Sequence, residues 1–494
     1  MRHDGQAILH AVEGTSVEVL EYPHGSCILL LPESVTWVKT SSTGKWIFES
    51  LRERPRTLPE LVCDVASHFG LPGARVERGV SALVDELLAQ GVLRQGHDGA
   101  FPTQVPITMD NLSLQEVWFN LTDQCNLSCS FCYVPGIGPS GKAHVPYELA
   151  VKVIEEAAEM GVVHLVLAGG EPTLHPELEQ IVRFASAQGT LRVKLVTNGS
   201  RCDARFVEGV LPHIHDLQVS LDGAEAKVHD GLRGKGSFNR AVELLRIVQQ
   251  RAPETVRGIS FTPQPDNLDQ LQGLYRLALV LAVNYIHLNR PKLPGVQPIG
   301  TNGGWSSPEF FGQALTAYDQ LLLHIFRDRE MSAGLQNRAC PEIDVSFDPA
   351  SELFSQFQRK RCAAGILTVC IGPDGGTYPC AALYRRQFTG GRVQEGGLAE
   401  ACGRLRSHME EVFSVDHDEV CGRCRFRYFC GGGCRAVAHP QTERDPACEL
   451  LSRRFATALG HVTDVRNSGI GARVQESAAD VPPIERSRRL RVKC

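Results

Sequence analysis

Three cysteines within one short loop constrain this chain more than any other feature: Cys125, Cys129 and Cys132, in the run Thr122-Asp-Gln-Cys-Asn-Leu-Ser-Cys-Ser-Phe-Cys-Tyr133. Thiolates are soft ligands, and three so closely spaced can hold three corners of an iron–sulfur cube while the fourth iron keeps a site for a small molecule. A closed zinc site asks for four protein ligands, commonly as paired CxxC units, and no fourth candidate lies near these three. Disulfides need an oxidising compartment, whereas the opening Met1-Arg-His-Asp-Gly-Gln6 carries no apolar segment that marks a secreted chain. Reduced thiols and a cytoplasmic location are therefore expected.

Downstream of that loop, short β-branched runs alternate with helical stretches, the pattern of parallel βα units. Strands are expected over Glu116–Leu121, Val162–Ala168, Leu191–Thr197, Asp216–Leu221, Val256–Thr262 and Asn284–Asn289. Glycine and polar residues gather where these strands end, in Gly169-Gly-Glu-Pro172, Thr197-Asn-Gly199 and Ser220-Leu-Asp-Gly223. In a parallel barrel that end is where sites are built. Six units instead of eight predict a partial (β/α)6 TIM-type barrel, open on one side to admit a large substrate.

At 494 residues the chain is too long for one ordinary core, so two or three domains are expected. A net charge of -5, from 51 basic and 56 acidic side chains, gives no electrostatic reason to expect nucleic acid or an anionic membrane. The longest apolar stretch, Leu274 to Leu288, is broken by Arg276 and Asn284 and is too short to span a bilayer.

Seventeen cysteines is a high count for a cytosolic protein. Besides the first three, Cys362, Cys370, Cys380, Cys421, Cys424, Cys430, Cys434 and Cys448 fall in a spaced array, with Gly375-Gly-Thr-Tyr-Pro-Cys380 and then CxxCxxxxxCxxxC. A single CxxC would suit a zinc ribbon equally. Cys27, Cys63, Cys202, Cys340 and Cys402 stand alone and read as small core hydrophobes.

These motifs together resemble the radical S-adenosylmethionine (SAM) enzymes, and the C-terminal array resembles their SPASM extension. The resemblance implies SAM as cofactor and three 4Fe-4S clusters, one binding SAM and two auxiliary. Cys125, Cys129 and Cys132 would hold the first. Cys362, Cys380 and Cys434 would hold the first auxiliary cluster; Cys421, Cys424, Cys430 and Cys448 the second. Cys370 either completes the first auxiliary cluster or leaves it an open iron. Around SAM the resemblance places Gly169, Gly170 and Glu171, with Glu171 or a backbone carbonyl accepting the methionine ammonium. Ser220 is expected on the ribose, Arg233 on the carboxylate and Phe131 near the adenine. Asn198 is the weaker candidate, and Asp222 is either a ribose partner or a turn residue. The glycines there, and Gly431-Gly-Gly433 between two ligands, would let backbone approach cofactor or sulfide closely.

Residues 1–105 carry none of these motifs. Strands are expected at Cys27–Leu31, Thr36–Lys39 and Gly91–Arg94, around helices at Thr43–Arg52, Thr57–Phe69 and Val76–Gln90, which makes a winged-helix-like α+β module. It resembles the PqqD-like element that binds leader peptides, by adding a strand to a sheet edge. The third helix carries three acidic residues and one Arg between Val76 and Leu87, the wrong balance for a DNA reader. The domains expected are therefore 1–105, a 106–300 barrel, a 301–361 helical bridge, a 362–460 cluster domain and a 461–494 tail.

The reading is an enzyme that cleaves SAM to a 5′-deoxyadenosyl radical and modifies a ribosomally made precursor peptide, with a flavodoxin- or ferredoxin-type reductant as electron source. Crosslinking through sulfur or carbon, epimerisation and oxidation remain open as outcomes. The enzymatic rivals are a formylglycine-generating sulfatase maturase, against which Ala381 stands where an Asp would follow Cys380, and a small-molecule enzyme of cofactor biosynthesis. A peptide-binding or electron-carrying scaffold is the non-enzymatic rival; it would need no SAM pocket.

Overall fold

The computed structural model describes residues 7–467 without 12–16, 23–25, 32–34, 90, 97–106, 135–136, 202, 291–306, 333–340, 346–356, 385 and 438–444. The expected tail beyond residue 467, Cys202 and Cys340 lie outside the described residues; residues 461–467 of that tail belong to a helix.

The first unit comprises β1 (Leu9–Ala11), β2 (Glu18–Glu21), β3 (Ser26–Leu31), β4 (Thr36–Ser41), α1 (Ser42–Glu53), α2 (Leu58–Phe69), α3 (Gly73–Ala89) and β5 (Leu93–Gln95). β2, β3 and β4 form an antiparallel sheet, and β1 pairs with β5. The two short strands β1 and β2 were not foreseen. Local chemistry sets the helix ends: Ser41 accepts from Gly44 N, Thr57 and Glu60 form a capping box, and Gly70 ends α2 at φ 64°. The run Cys27-Ile-Leu-Leu-Leu31 is apolar at every position because β3 is buried on both faces. Leu29 and Leu31 pack with α1 to α3, while Ile28 and Leu30 join Phe426, Phe429 and Phe455 near the chain's other end. Cys63, expected in the core, is exposed instead, because Leu61, Val62 and Val65 define the buried side of α2.

After β6 (Ile107–Thr108) come β7 (Glu116–Asn120), α4 (Tyr147–Glu159), β8 (His164–Ala168), α5 (Leu178–Ala187), β9 (Arg192–Thr197), β10 (Asp216–Ser220), α6 (Ala226–Arg233), α7 (Ser237–Arg251), β11 (Val256–Phe261), α8 (Leu271–Val280) and β12 (Tyr285–Leu288). All six expected strands are present, parallel to their neighbours and in sequence order. α9 (Pro308–Ser332) leads to β13 (Glu342–Val345), which extends the sheet beyond β12. Past β14 (Phe357–Gln358), β15 (Thr368–Ile371) joins the other edge parallel to β7, and β16 (Thr377–Tyr378) closes back on it. Among the described residues the sheet therefore has nine strands, and Cys370 of the cysteine array stands in one of them. The described residues end in α10 (Gly397–Phe413), the short α11 (Glu419–Gly422) and α12 (Arg427–Cys430), and α13 (Cys448–Asn467).

One face of this sheet supplies Val117, Phe119, Leu165, Leu167, Leu195, Leu217, Val219, Ile259, Phe261, Ile286, Leu288, Ile343 and Val369 to a single buried cluster with the surrounding helices. Since strand side chains alternate, the residues between them face the opposite way, and that second face carries the polar positions. No described helix is long and apolar enough to cross a membrane.

Candidate functional site

The loop bearing the first three cysteines leaves β7 and is held between two backbone strips. On one side Cys125 N donates to Gly138 O at 3.0 Å and Asp123 N to Ala143 O at 3.0 Å. On the other, Gly170 N donates to Thr122 O at 2.7 Å and Glu171 N to Gln124 O at 2.8 Å. A Cβ on Gly169, at φ 133°, would stand 2.5 Å from Thr122 O, and one on Gly170 would stand 2.2 Å from Gln124 O. The glycine pair thus lets two protein segments close on each other. Both glycines also border the cavity described below, so the same absence of side chains leaves their backbone facing it.

Glu171 is fully buried, and four donors occupy its carboxylate: Thr173 N at 3.1 Å, Thr173 Oγ1 at 2.7 Å, Thr197 Oγ1 at 2.7 Å and Asn198 N at 2.7 Å. Burial pushes its pKa up, against the pull of those bonds. Three of these donors fall on Oε1 and one on Oε2, and together they fasten the β8 loop to the end of β9. Asn198 continues the fastening. Its Nδ2 donates to Asn126 Oδ1 at 2.9 Å, and Asn126 donates to Ser200 Oγ at 2.9 Å, so the residue after Cys125 is tied to β9. The sequence reading passed over Asn126, whose place beside a ligand candidate was the available signal.

At the end of α6, Arg233 donates through Nε to Asp222 Oδ2 and lies over the Phe131 ring, 5.2 Å from its centroid. Burial alone would lower the Arg233 pKa, but Asp222 and the neighbouring Cys129 and Cys132 raise it. Asp222 has no exposed surface; besides Arg233 its carboxylate takes Thr262 N at 2.7 Å, and its carbonyl takes Asn267 Nδ2 at 3.0 Å. Asp222 therefore acts as a bracket for Arg233. Its backbone N donates to His229 Nδ1 at 3.0 Å. Burial drives the His229 pKa down to about 4, so this buried imidazole is neutral and acts as an acceptor.

Cys125, Cys129, Cys132, Phe131, Gly169, Gly170, Glu171, Asn198, Ser220 and Arg233 all border one cavity of about 770 Å³. Asp222 alone among the expected SAM-site residues stands behind its wall. Trp118, Gln218, Ser260, Thr262 and Asn289 also line it and were missed. Alternation was the signal: Gln218 and Ser220, like Ser260 and Thr262, sit two apart at strand ends. The Cys125 pKa is pushed up to about 11, by burial first and then by Glu171, Cys129 and Cys132. That mutual charge effect means the thiols converge. Among the described residues no three Cys, His or acidic side chains meet at single-ion spacing. The thiols instead border a cavity large enough for an iron–sulfur group and a nucleoside-sized ligand, and every described cysteine is free of disulfide bonding.

The remaining cysteines fall into two groups. Cys362 is pushed up to about 12 by burial, then by Cys380 and Cys434. Cys430 also rises to about 12, by burial, then Asp445, Cys448, Cys424 and Cys421. Cys421, Cys424, Cys430 and Cys448 border a separate cavity of about 370 Å³. Cys370 is buried in β15 beside Cys380, and Asn120 Nδ2 donates to its Sγ at 3.5 Å. Gly431, Gly432 and Gly433 all have left-handed φ, and a Cβ on them would meet Arg361 O at 2.7 Å, Arg435 at 2.3 Å and Asp445 at 2.6 Å. Protein atoms thus crowd that turn on the side where a Cβ would stand.

Family comparison matches the radical SAM superfamily over residues 119–278 and coenzyme PQQ synthesis protein D (PqqD) over residues 26–93. The mycofactocin maturase MftC of Mycobacterium tuberculosis is 28% identical over 339 residues, 67% of this chain and 81% of that protein. An AdoMet-dependent heme synthase of Methanosarcina barkeri is 27% identical over 368 residues, 69% of this chain and 98% of that one. Among solved structures, anSMEcpe with bound AdoMet aligns at TM-score 0.57 and 17% identity, covering 72% of this chain and 99% of its own. Streptococcus suis SuiB bound to precursor peptide SuiA aligns at TM-score 0.55 and 14% identity, covering 89% and 100%. At those identities the structural likeness speaks for the fold.

Proposed function

Since this chain carries a radical SAM domain over residues 119–278 and a PqqD domain over residues 26–93, we propose that it is a radical SAM maturase of a ribosomally made peptide. The carrying observation is the convergence of three unbonded thiols and Arg233 on one cavity, in a chain that also holds a peptide-recognition domain. Cys125, Cys129 and Cys132 would hold a 4Fe-4S cluster. With SAM bound, that group supplies a 5′-deoxyadenosyl radical able to remove a hydrogen atom from a peptide. The chain's own part is positional. Arg233 keeps the two-nitrogen end of its guanidinium for a carboxylate while Asp222 holds the Nε edge, Ser220 offers a hydroxyl to a diol, and Phe131 covers the cluster loop.

Residues from β7 to β12 reach the same cavity. Six strands at about 4.8 Å spacing would cover about 24 Å if flat, so sharing one cavity favours a sheet curled into a partial barrel. The two cysteine groups, Cys362 with Cys380 and Cys434 (Cys370 adjoining) and Cys421 with Cys424, Cys430 and Cys448, would carry auxiliary clusters of a SPASM region, a route for electrons between the cavity and a flavodoxin- or ferredoxin-type partner in the cytosol. A leader peptide would add to an edge of the β2–β3–β4 sheet, β2 or β4, and raise the local concentration of its core at the cavity. The division into 1–105, 106–300, 301–361, 362–460 and 461–494 serves this reading, with β15 and β16 shared between barrel and cluster region.

The heme synthase among the relatives favours a small-molecule substrate as second reading. Anaerobic reconstitution separates the two. The expected result is release of 5′-deoxyadenosine together with a mass change in a precursor peptide retained by residues 26–93, both lost in C125A. Retention of no peptide, with deoxyadenosine formed only on a tetrapyrrole, would overturn the peptide reading.

A further inference from the structure

Beyond the residues that would hold a cofactor, the cavity-side face of the sheet carries a histidine–carboxylate pair. On β12, Ile286 and Leu288 point into the core, so Tyr285 and His287 face the other way, as does Asn289 two residues on. Asn289 lines the cavity, where its Nδ2 donates to Ser260 Oγ at 2.8 Å and Thr262 Oγ1 at 3.1 Å. Ser260 also lines it and is the register partner of His287 on the adjoining strand. His287 thus flanks one lining residue and precedes another. On its other side the register partner is Asp344 of β13, the last strand of that sheet edge, and Ile343 in the core fixes Asp344 on the same face as His287.

His287 Nδ1 lies 2.5 Å from Asp344 Oδ2. Asp344 is nearly closed to solvent, with 7% of its side chain exposed, whereas His287 keeps 22%. Among the described residues Nε2 has no hydrogen-bond partner. A buried carboxylate fixing one nitrogen of a partly exposed imidazole, with no described partner on the other, is the arrangement that makes a general base: it sets the tautomer and stabilises the cation that forms. The neighbouring layer differs, since Tyr285 OH is spent on Asp216 at 2.9 Å and Gln218 at 3.1 Å.

We propose that His287, oriented by Asp344, is the proton acceptor for the peptide bound at this edge of the cavity. The step is a proton transfer: one X–H bond of the peptide breaks with its electron pair left on the peptide, an N–H bond forms at Nε2, and the imidazolium is neutralised by Asp344. His287 is the catalytic residue and Asp344 a positioning residue. The inference rests on the peptide-maturase reading.

The test compares reconstituted wild type, H287Q and D344N, using SAM, dithionite and a synthetic copy of the precursor peptide that residues 26–93 retain. Modified peptide per deoxyadenosine released is expected to fall about a hundredfold in H287Q and about tenfold in D344N. A reading without cofactor accompanies it: in the apo chain, carbethoxylation of His287 by diethyl pyrocarbonate, followed by mass spectrometry, should slow when that peptide is present. A product ratio unchanged in both variants, including parallel loss of both products, overturns the proposal, as does a His287 reactivity indifferent to peptide. Wild type that cleaves SAM yet modifies no peptide instead defeats the maturase reading, and this inference with it.

Discussion

Asp222 and Arg233, eleven residues apart, are joined by a hydrogen bond from the guanidinium Nε to a carboxylate that has no exposed surface. Asp222 is held in turn by Thr262 N and Asn267 Nδ2, so the direction of Arg233 is set by three segments of the sheet's C-terminal end.

D222N should therefore weaken SAM binding at least about tenfold, which corresponds to about 1.4 kcal/mol. R233K should do no better, because one ammonium cannot serve Asp222 and a ligand carboxylate in a fixed fork. Equilibrium dialysis with SAM on reconstituted protein measures both; unchanged affinity in D222N would mean Arg233 needs no bracket.

G170A places a methyl group 2.2 Å from Gln124 O, backbone that cannot swing aside. The cysteine loop should be displaced, and reconstituted G170A should lose about four iron atoms per chain, one cubane's worth, while the C-terminal groups keep theirs. Iron analysis of G170A beside a C421A control checks this.

His229 provides a pH prediction. Its pKa is lowered to about 4 in the folded chain, below the usual 6.5, so the unfolded chain binds the extra proton between those values. Its contribution is complete above about pH 6.5 and is lost as pH falls toward 4, to a total of about 3 kcal/mol. Wild type should thus lose thermal midpoint more steeply than H229Q between pH 6.5 and 4. Parallel curves would show that the buried imidazole is not the proton-linked group.

Leu29 and Leu30 are adjacent, wholly buried and committed to different cores. Truncation of either should cost about 2–5 kcal/mol, but in different places. L29A should raise hydrogen exchange in α1 to α3, whereas L30A should raise it in α12 and the start of α13. Identical exchange maps would mean that the first unit and the cysteine array do not share a core.

Much of this was legible along the chain. The spacing of Cys125, Cys129 and Cys132, the six βα units and their strand order, and the helices of the first hundred residues all follow from local rules: ligand spacing, period-two and period-3.6 patterning, and capping. The apolar run of β3 announced a buried strand but not what covers it, because periodicity is silent about partners. The alternation at strand ends set which residues share a face, so Gln218, Ser260 and Thr262 were readable in principle. The sequence also carried the composition that keeps thiols, glycines and a carboxylate together in short motifs.

What those motifs do was decided by tertiary contact. Gly169 and Gly170 make room for the cysteine loop as well as bordering the cavity, and Glu171 and Asp222 take protein donors from segments distant in sequence. β13 and β15 join the sheet from beyond residue 300, which brings Asp344 beside His287 and Cys370 beside Trp118. The physical reason is that a side chain's free lone pairs and open volume depend on everything packed around it, and pairings between residues dozens or hundreds of positions apart leave no mark on local spacing.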